Sequence, residues 1–211
     1  MDQQQAKDRL LLAMLPDVVF DGWSLTALRA GARALGMPES EALGCFQGRA
    51  APMVEWFADW ADRRMLVEYP DRVTEGMRTQ GRVVAAVMAR FTVLGPHREA
   101  ERRALAVLAM PQNGLLALRI LYRTVDVIWY AVGDTATDFN FYSKRALLAA
   151  AYAATVLYWL EDNSPGYADT RAFLERRLGE IMSIPQTATR MREVLDRLPN
   201  PFRGFQALER R

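Results

Sequence analysis

The feature that most limits how this chain folds is a run of 15 uncharged, mostly apolar residues, 146–160. A helix that crosses a bilayer needs about 20 such residues, so this run is too short to span a membrane. A helix that is apolar on every side is buried on every side. The run therefore predicts a fully buried segment of a helix from Phe141 to Leu160, in a soluble protein.

Apolar residues recur at helical spacing through most of the remaining chain, and the alternation typical of β-strands is nearly absent. The predicted fold class is therefore all-α. Further long helices are expected over residues 72–94 and 114–132. We divide the chain into an N-terminal unit of residues 1–66, a larger helical ligand-binding bundle of residues 67–184, and a C-terminal tail of residues 185–211.

The N-terminal unit has the spacing of a helix-turn-helix. Ser24 is a good N-cap for a helix that reaches Leu35, Gly36 suits the turn after it, and a short helix follows to Phe46. The short helix carries Glu39 and Glu41 and no basic residue, and residues 1–64 hold nine acidic against seven basic residues. Because phosphate neutralisation supplies most non-specific DNA affinity, we predict that the unit does not bind nucleic acid.

Residues that could carry catalysis are scarce. The chain has one histidine, His97, which we interpret as a surface loop residue, and one cysteine, Cys45, which we interpret as a small buried residue. One of each cannot form a zinc site, and the paired Glu-x-x-His motifs of di-iron bundles are absent. The segment 134–140 lacks the glycine and glutamate of a calcium loop and reads as a turn. The sequence thus predicts no enzyme activity, no metal and no cofactor.

Polar side chains within the apolar helix point to a different kind of site. An apolar wall with a few hydroxyl groups is the mixture expected of a pocket for a small molecule. We predict that the lipid-binding residues lie on this helix and the preceding one, and are Leu121, Tyr122, Val125, Trp129, Leu148, Tyr152, Thr155 and Tyr158. Asp126 is expected to pair with Lys144 or Arg145 at the pocket edge. On periodicity alone, however, plain core packing explains the same pattern better.

The C-terminal tail is basic and amphipathic. Residues 185–211 contain six arginines against three acidic residues, with apolar side chains at helical spacing. Such a segment suits an anionic membrane surface, and it equally suits a terminal helix docked on the domain. On the first interpretation, the membrane-contact residues are Met191, Leu195, Leu198, Phe202 and Phe205.

A collinear set of motifs over about 50 residues resembles a known family. The stretch 133–149 reads GDTATDFNFYSKRALLA, and Tyr152, the segment Asp162-Asn-Ser-Pro165 and the pair Asp169-Thr170 follow it. These motifs are similar to those of the ubiquinone-biosynthesis accessory lipid-binding family. The N-terminal part resembles that family more loosely, including its similarity to TetR-type regulators.

The resemblance implies a TetR-like fold, a homodimer and no catalysis. It also implies a protein that binds isoprenylated quinone intermediates at the membrane and presents them to the di-iron demethoxyubiquinone hydroxylase. The ligand would be an isoprenoid quinone precursor or a phospholipid. Phe141 and Tyr142 match an aromatic-tyrosine pair, usually Trp-Tyr, in the family's partner-binding patch. The implied partner-binding residues are Asp138, Phe141, Tyr142, Lys144 and Arg145.

The N-terminus shows neither a secretory signal nor an evident transit peptide. We therefore expect a bacterial member of the family that works in the cytoplasm, peripheral to the inner membrane. Two other interpretations stay open. One is a TetR-like transcriptional regulator with an apolar ligand pocket, and the other is a helical interaction module.

Overall fold

The computed structural model describes residues 3–133 and 139–180 of the chain. Within these residues every regular element is helical, which confirms the all-α prediction. Four short 3-10 turns separate the helices. The helices are α1 Gln3–Asp21, α2 Leu25–Ala34, α3 Glu39–Phe46, α4 Ala50–Glu68, α5 Thr79–Leu94, α6 Arg98–Leu108, α7 Gly114–Val132, α8 Phe139–Trp159 and α9, residues 168–180.

Helices α2 and α3 form the predicted helix-turn-helix. The Ser24 hydroxyl accepts a hydrogen bond of 3.2 Å from the backbone N–H of Ala27, as an N-cap does. Gly36 ends the helix with a φ of +63°, a conformation that favours glycine. Helix α1 crosses α2 closely, since a Cβ atom on Gly31 would lie 2.8 Å from the Cβ of Met14. The unit is thus held together by capping and close packing.

Helix α5 begins later than the sequence suggests. The predicted start at residue 72 is wrong, because the regular helix starts at Thr79. A 3-10 turn, Pro70–Arg72, and a turn at Gly76, whose φ is +78°, precede it. A backbone in the left-handed region cannot continue a right-handed helix, so Gly76 separates the 3-10 turn from α5.

The prediction that the apolar run is buried on every side is also wrong. One face of α8 packs against α7, whereas the opposite face is exposed over the part of the chain that the structure describes. Burial depends on which neighbours cover a helix, and apolar composition alone cannot supply them. The exposed residues of this face are Ala146, Ala150, Ala153, Ala154, Leu157 and Tyr158.

Among the described residues, no single helix is long and apolar enough to cross a membrane. Two consecutive segments, Thr79–Leu108 and Pro111–Val132, reach that length and composition only together, and they are bent by 97° where they meet.

Candidate functional site

A cavity of about 400 Å³ lies among helices α4, α5, α6, α7 and α8. Its volume is within the range of pockets that hold small organic ligands. Helix α4, which we assigned to the N-terminal unit, therefore contributes to the same site as the larger bundle. The apolar lining residues are Val54, Phe57, Ala58, Ala104, Leu105, Leu108, Ala109, Ala117, Ile120, Leu121, Ala153, Val156 and Leu157.

The cavity is polar at its buried end and apolar at its rim. Its four polar lining residues, Arg90, Glu101, Thr124 and Tyr152, are all buried. Arg90 is only 2% exposed, whereas Leu157 at the rim is 63% exposed. A ligand that matches this gradient has a polar end, which enters first, and an apolar body that reaches the surface.

An ion pair organises the buried end. The Nε of Arg90 donates to Oδ1 of Asp62 at 2.8 Å, and its Nη1 donates to the Tyr152 hydroxyl at 2.6 Å. The Thr124 hydroxyl lies 3.0 Å from each carboxylate oxygen of Asp62. The Nε of Arg123, whose side chain is partly exposed, lies 3.5 Å from Oδ2 of Asp62. Asp62 is thus held by contacts from α5 and α7.

Burial shapes the ionisation of this cluster. Burial disfavours the charged Arg90 guanidinium, but Tyr152 and Asp62 outweigh that effect and raise the pKa of Arg90, so it stays charged. Burial also raises the pKa of Tyr152, which therefore stays a neutral phenol. Burial raises the pKa of the Glu101 carboxyl, and the charge of Arg90 offsets part of that rise.

The structure brings two of the eight predicted lipid-binding residues to this cavity, Leu121 and Tyr152. Four others are buried without lining it: Val125, Trp129, Leu148 and Thr155. The Thr155 hydroxyl donates to the Ala151 carbonyl at 2.6 Å, within its own helix. Tyr122 and Tyr158 are 46% and 40% exposed, and the Tyr158 ring stacks on Phe173 at 4.6 Å.

One predicted contact at the start of α8 is present. The Nε of Arg145 lies 2.8 Å from Oδ1 of Asp126, which is one of the two pairs that the sequence left open. The other partner-binding predictions concern Asp138 and the side chains of Phe141, Tyr142 and Lys144, which lie outside what the structure describes. The predicted membrane-contact residues also lie outside the described part of the chain: Met191, Leu195, Leu198, Phe202 and Phe205.

Sequence reasoning missed the polar residues contributed by α4, α5 and α6. A signal existed for Arg90, which is the one charged residue in the otherwise uncharged run 83–94. A lone charge in such a run is buried with its helix and needs a partner. No comparable signal marked Glu101, because Glu99, Arg102 and Arg103 surround it in the sequence and suggest an exposed face.

Asp162, which belongs to one of the motifs singled out in the sequence, has a structural role at the start of α9. Its carboxylate accepts hydrogen bonds from the backbone N–H groups of Ser164 and Thr170, at 2.7 and 2.9 Å, and from the Thr170 hydroxyl. Burial raises its pKa, but these hydrogen bonds outweigh that effect and lower the pKa to about 2. The stabilisation is therefore complete above the ordinary pKa of about 4 and is lost as the pH falls towards 2.

His97 and Cys45 are placed differently from the predictions. His97 is half-buried in a 3-10 turn, where its ring packs 5.7 Å from that of Trp60, and burial lowers its pKa. The prediction of a surface loop is therefore wrong in part. Cys45 is half-buried rather than fully buried. The described residues contain no group of three or more His, Cys, Asp or Glu side chains that could hold a metal ion.

The amino-acid sequence is similar to those of known proteins. The family model named COQ9 matches residues 115–185, which include all of α7 but its first residue, and the whole of α8 and α9. The human mitochondrial ubiquinone biosynthesis protein COQ9 is 32% identical in an alignment 209 positions long, which covers 96% of this chain and 65% of the human protein. The rat COQ9 is 32% identical over 96% of this chain and 67% of its own length. The chain thus spans about two thirds of these relatives.

A solved structure supports the fold. A TetR transcriptional regulator from Nitrosomonas europaea superposes with a TM-score of 0.66 at 20% sequence identity, and the match covers 84% of this chain and 98% of the regulator. The similarity shows a TetR-like arrangement of helices, as the resemblance implied. At this level of identity it shows the fold alone.

Proposed function

This chain belongs to the COQ9 family of ubiquinone biosynthesis proteins, and we propose that it is a non-catalytic accessory protein of that pathway. In this proposal it binds isoprenylated quinone intermediates at a membrane surface and presents them to a demethoxyubiquinone hydroxylase. The observation that carries the proposal is the apolar cavity among α4–α8, with its buried polar end.

The cavity supports a lipid ligand on physical grounds. An isoprenoid tail is insoluble in water, and removing its apolar surface from water stabilises a complex by roughly 25 cal/mol per Å². Apolar side chains dominate the walls and the rim, so the tail needs no specific polar contact. Phe57, which is fully buried, closes part of the apolar wall on the α4 side.

Exposed apolar residues near the rim support transfer of the ligand from a membrane. On α7, Leu115 and Leu118 are 81% and 54% exposed, and they occupy one face of the helix that supplies Ala117 and Leu121 to the cavity. Large exposed side chains of this type around an opening mark an interaction surface. We include membrane contact in the proposal for this reason, together with the basic tail.

The helix-turn-helix favours lipid binding over DNA binding. Helix α3 occupies the position of a DNA-reading helix. It carries two acidic residues and no basic side chain. The Nε of Arg29 on α2 lies 2.8 Å from Glu39 on α3, so this arginine is already paired. We therefore do not assign a DNA-binding role to the unit.

Native mass spectrometry of the purified full chain tests the lipid proposal. After incubation with vesicles that contain an isoprenylated quinone, we expect a species at the 23.9 kDa chain mass, or at twice it, plus one lipid per chain. The doubled mass would also support a homodimer, which we propose because one face of α8 is apolar and exposed. A spectrum with lipid-free protein only, under conditions that keep the protein folded, would contradict the lipid proposal.

The proposed contact with the hydroxylase predicts an effect of Tyr142→Ala. Truncating a tyrosine at the centre of an interface often costs 2 kcal/mol or more, so we expect the affinity for the purified hydroxylase to fall by at least about tenfold. Surface plasmon resonance measures this loss, and Phe20→Ala removes an aromatic side chain that is 82% exposed on α1 as a control. Unchanged affinity, or a large fall in Tm for Tyr142→Ala, would argue against an interface role.

A further inference from the structure

Arg90 has unused hydrogen-bond donors at the buried end of the cavity. A guanidinium carries five N–H groups. Asp62 accepts a hydrogen bond from Nε, and the Tyr152 hydroxyl accepts one from Nη1. The other three N–H groups, which include both on Nη2, have no hydrogen-bond partner among the described residues. Because Arg90 lines the cavity and is 2% exposed, the acceptor atoms of a ligand can supply these partners.

The charges at the buried end balance only when Glu101 is ionised. Arg90 and Arg123 are two cations, and Asp62 pairs with both of them, at 2.8 and 3.5 Å. Glu101 is the second carboxyl group, is 7% exposed and makes no hydrogen bond to the described residues. Burial raises the pKa of Glu101, Arg90 offsets part of that rise, and Asp62 adds to it. When Glu101 holds its proton, the site carries one net positive charge.

These two features match the chemistry of a carboxylic acid. A carboxylate accepts hydrogen bonds at both oxygens, and its charge-assisted bonds to a guanidinium are among the strongest in proteins. Its single negative charge equals the charge that the site lacks. It can also accept a hydrogen bond from the protonated carboxyl group of Glu101. The apolar walls and rim of the cavity suit a hydrocarbon tail on the same molecule.

We propose that the cavity takes a second class of ligand, a carboxylic acid with a hydrocarbon tail, such as a fatty acid. Its carboxylate accepts hydrogen bonds from Nη2 of Arg90 and from the protonated Glu101, and its tail leaves past Leu157. When Glu101 is ionised in the empty cavity, binding takes up one proton from solvent, and no covalent bond changes. The inference rests on the cavity and not on the quinone ligand proposed above, with which such an acid would compete.

Three probes with the same ring and tail test the inference: 4-octylbenzoate, 4-octylphenol and octylbenzene, titrated into the full chain at pH 5.5 by isothermal titration calorimetry. We expect 4-octylbenzoate to bind at least about tenfold more tightly than octylbenzene, because it adds charge-assisted hydrogen bonds. Equal binding of these two would overturn the inference, whereas binding of 4-octylphenol in the same experiment would leave the quinone proposal standing. Absence of binding by all three probes to the folded chain would overturn both.

Removal of the guanidinium tests the role of Arg90. In Asp62→Leu/Arg90→Met both members of the buried ion pair are replaced, so neither charge is left buried without its partner. The affinities for 4-octylbenzoate and octylbenzene should then lie within about twofold of each other, because the charge-assisted hydrogen bonds are gone. Thermal unfolding shows whether the variant is folded. A preference for 4-octylbenzoate that persists in the folded variant would overturn the role of Arg90.

The proton on Glu101 predicts a pH dependence. As the pH rises through the pKa of Glu101, the bound carboxylate meets a second negative charge, so we expect the affinity for 4-octylbenzoate to fall about tenfold between pH 5 and 8. A carboxylic acid in water titrates below this range, so the free probe stays ionised. The other charged or titratable groups at or near this end are Asp62 on α4, His97 before α6, Arg90 on α5, Arg123 on α7 and Tyr152 on α8.

Two variants on α6 assign the pH dependence. Glu101→Gln keeps an N–H donor and cannot ionise, so it should bind 4-octylbenzoate with an affinity that changes less than about twofold between pH 5 and 8. Glu99→Gln removes a partly exposed carboxylate that pairs with Arg102 and Arg103, so it should keep the dependence of the unmodified chain. A dependence that persists in Glu101→Gln would assign it to another group, such as His97, and overturn the role of Glu101.

Discussion

Replacing Asp62 with leucine is expected to lower the free energy of unfolding by about 3–5 kcal/mol, because it leaves a buried guanidinium without its counter-ion. Arg90 and Asp62 are 2% and 3% exposed, and their side chains are 2.8 Å apart. The Thr124 hydroxyl, which lies 3.0 Å from both oxygens of Asp62, loses its partner in the same variant.

Urea unfolding measures this loss, and two further variants show its origin. Asp59→Leu, one turn earlier on α4, removes a carboxylate that is about one third exposed and pairs with Arg63, so it should cost no more than about 1 kcal/mol. In the double variant Asp62→Leu/Arg90→Met, the buried charge is gone, and we expect most of the stability to return. Equal losses for Asp62→Leu and Asp59→Leu would show that the buried pair contributes no special stabilisation.

The fold was largely predictable because its signals are local. A cap such as Ser24 and a left-handed glycine such as Gly36 act on the residues next to them, so they mark helix ends without any knowledge of the tertiary structure. The start of α5 was missed because the turn at Gly76 interrupts a pattern that otherwise continues. The position of one glycine outweighed the apolar periodicity on both sides of it.

The candidate site was predicted less well because it is built from five helices. The sequence correctly directed attention to α7 and α8, which supply Leu121 and Tyr152. The polar end depends on side chains from α4, α5 and α6 that come together only in the folded chain. Glu101 is identical in type to the partly exposed Glu99 two residues earlier, and only the packing of α6 buries Glu101.

The exposed face of α8 illustrates the same limit. Composition correctly marks the run 146–160 as apolar, but it cannot say whether a neighbour within the chain, a second chain or a lipid covers each residue. Ala153 and Leu157 lie on the exposed face and also line the cavity rim. One part of the apolar run therefore belongs to the core, and another part lies at the candidate ligand entrance. A prediction that the whole run is buried could not distinguish the two parts.

Filling the cavity from within is expected to abolish lipid binding while the protein stays folded. Ala104 is 2% exposed and lines the cavity beside the buried end. A phenylalanine there would occupy space that the ligand needs, so Ala104→Phe should lower octylphenol affinity by at least about tenfold. Because the new ring contacts cavity walls that were empty, Tm should be unchanged or higher.

Ala106→Phe provides the matched control, since residue 106 is exposed on the same helix and does not line the cavity. It should bind octylphenol normally, and normal binding by Ala104→Phe as well would place the lipid site elsewhere. Co-sedimentation with anionic vesicles adds a second readout. If the basic tail with Phe202 and Phe205 contacts the membrane, Ala104→Phe should still sediment with vesicles although it holds no ligand. Loss of both properties together would instead mean that the occupied cavity is itself the membrane anchor.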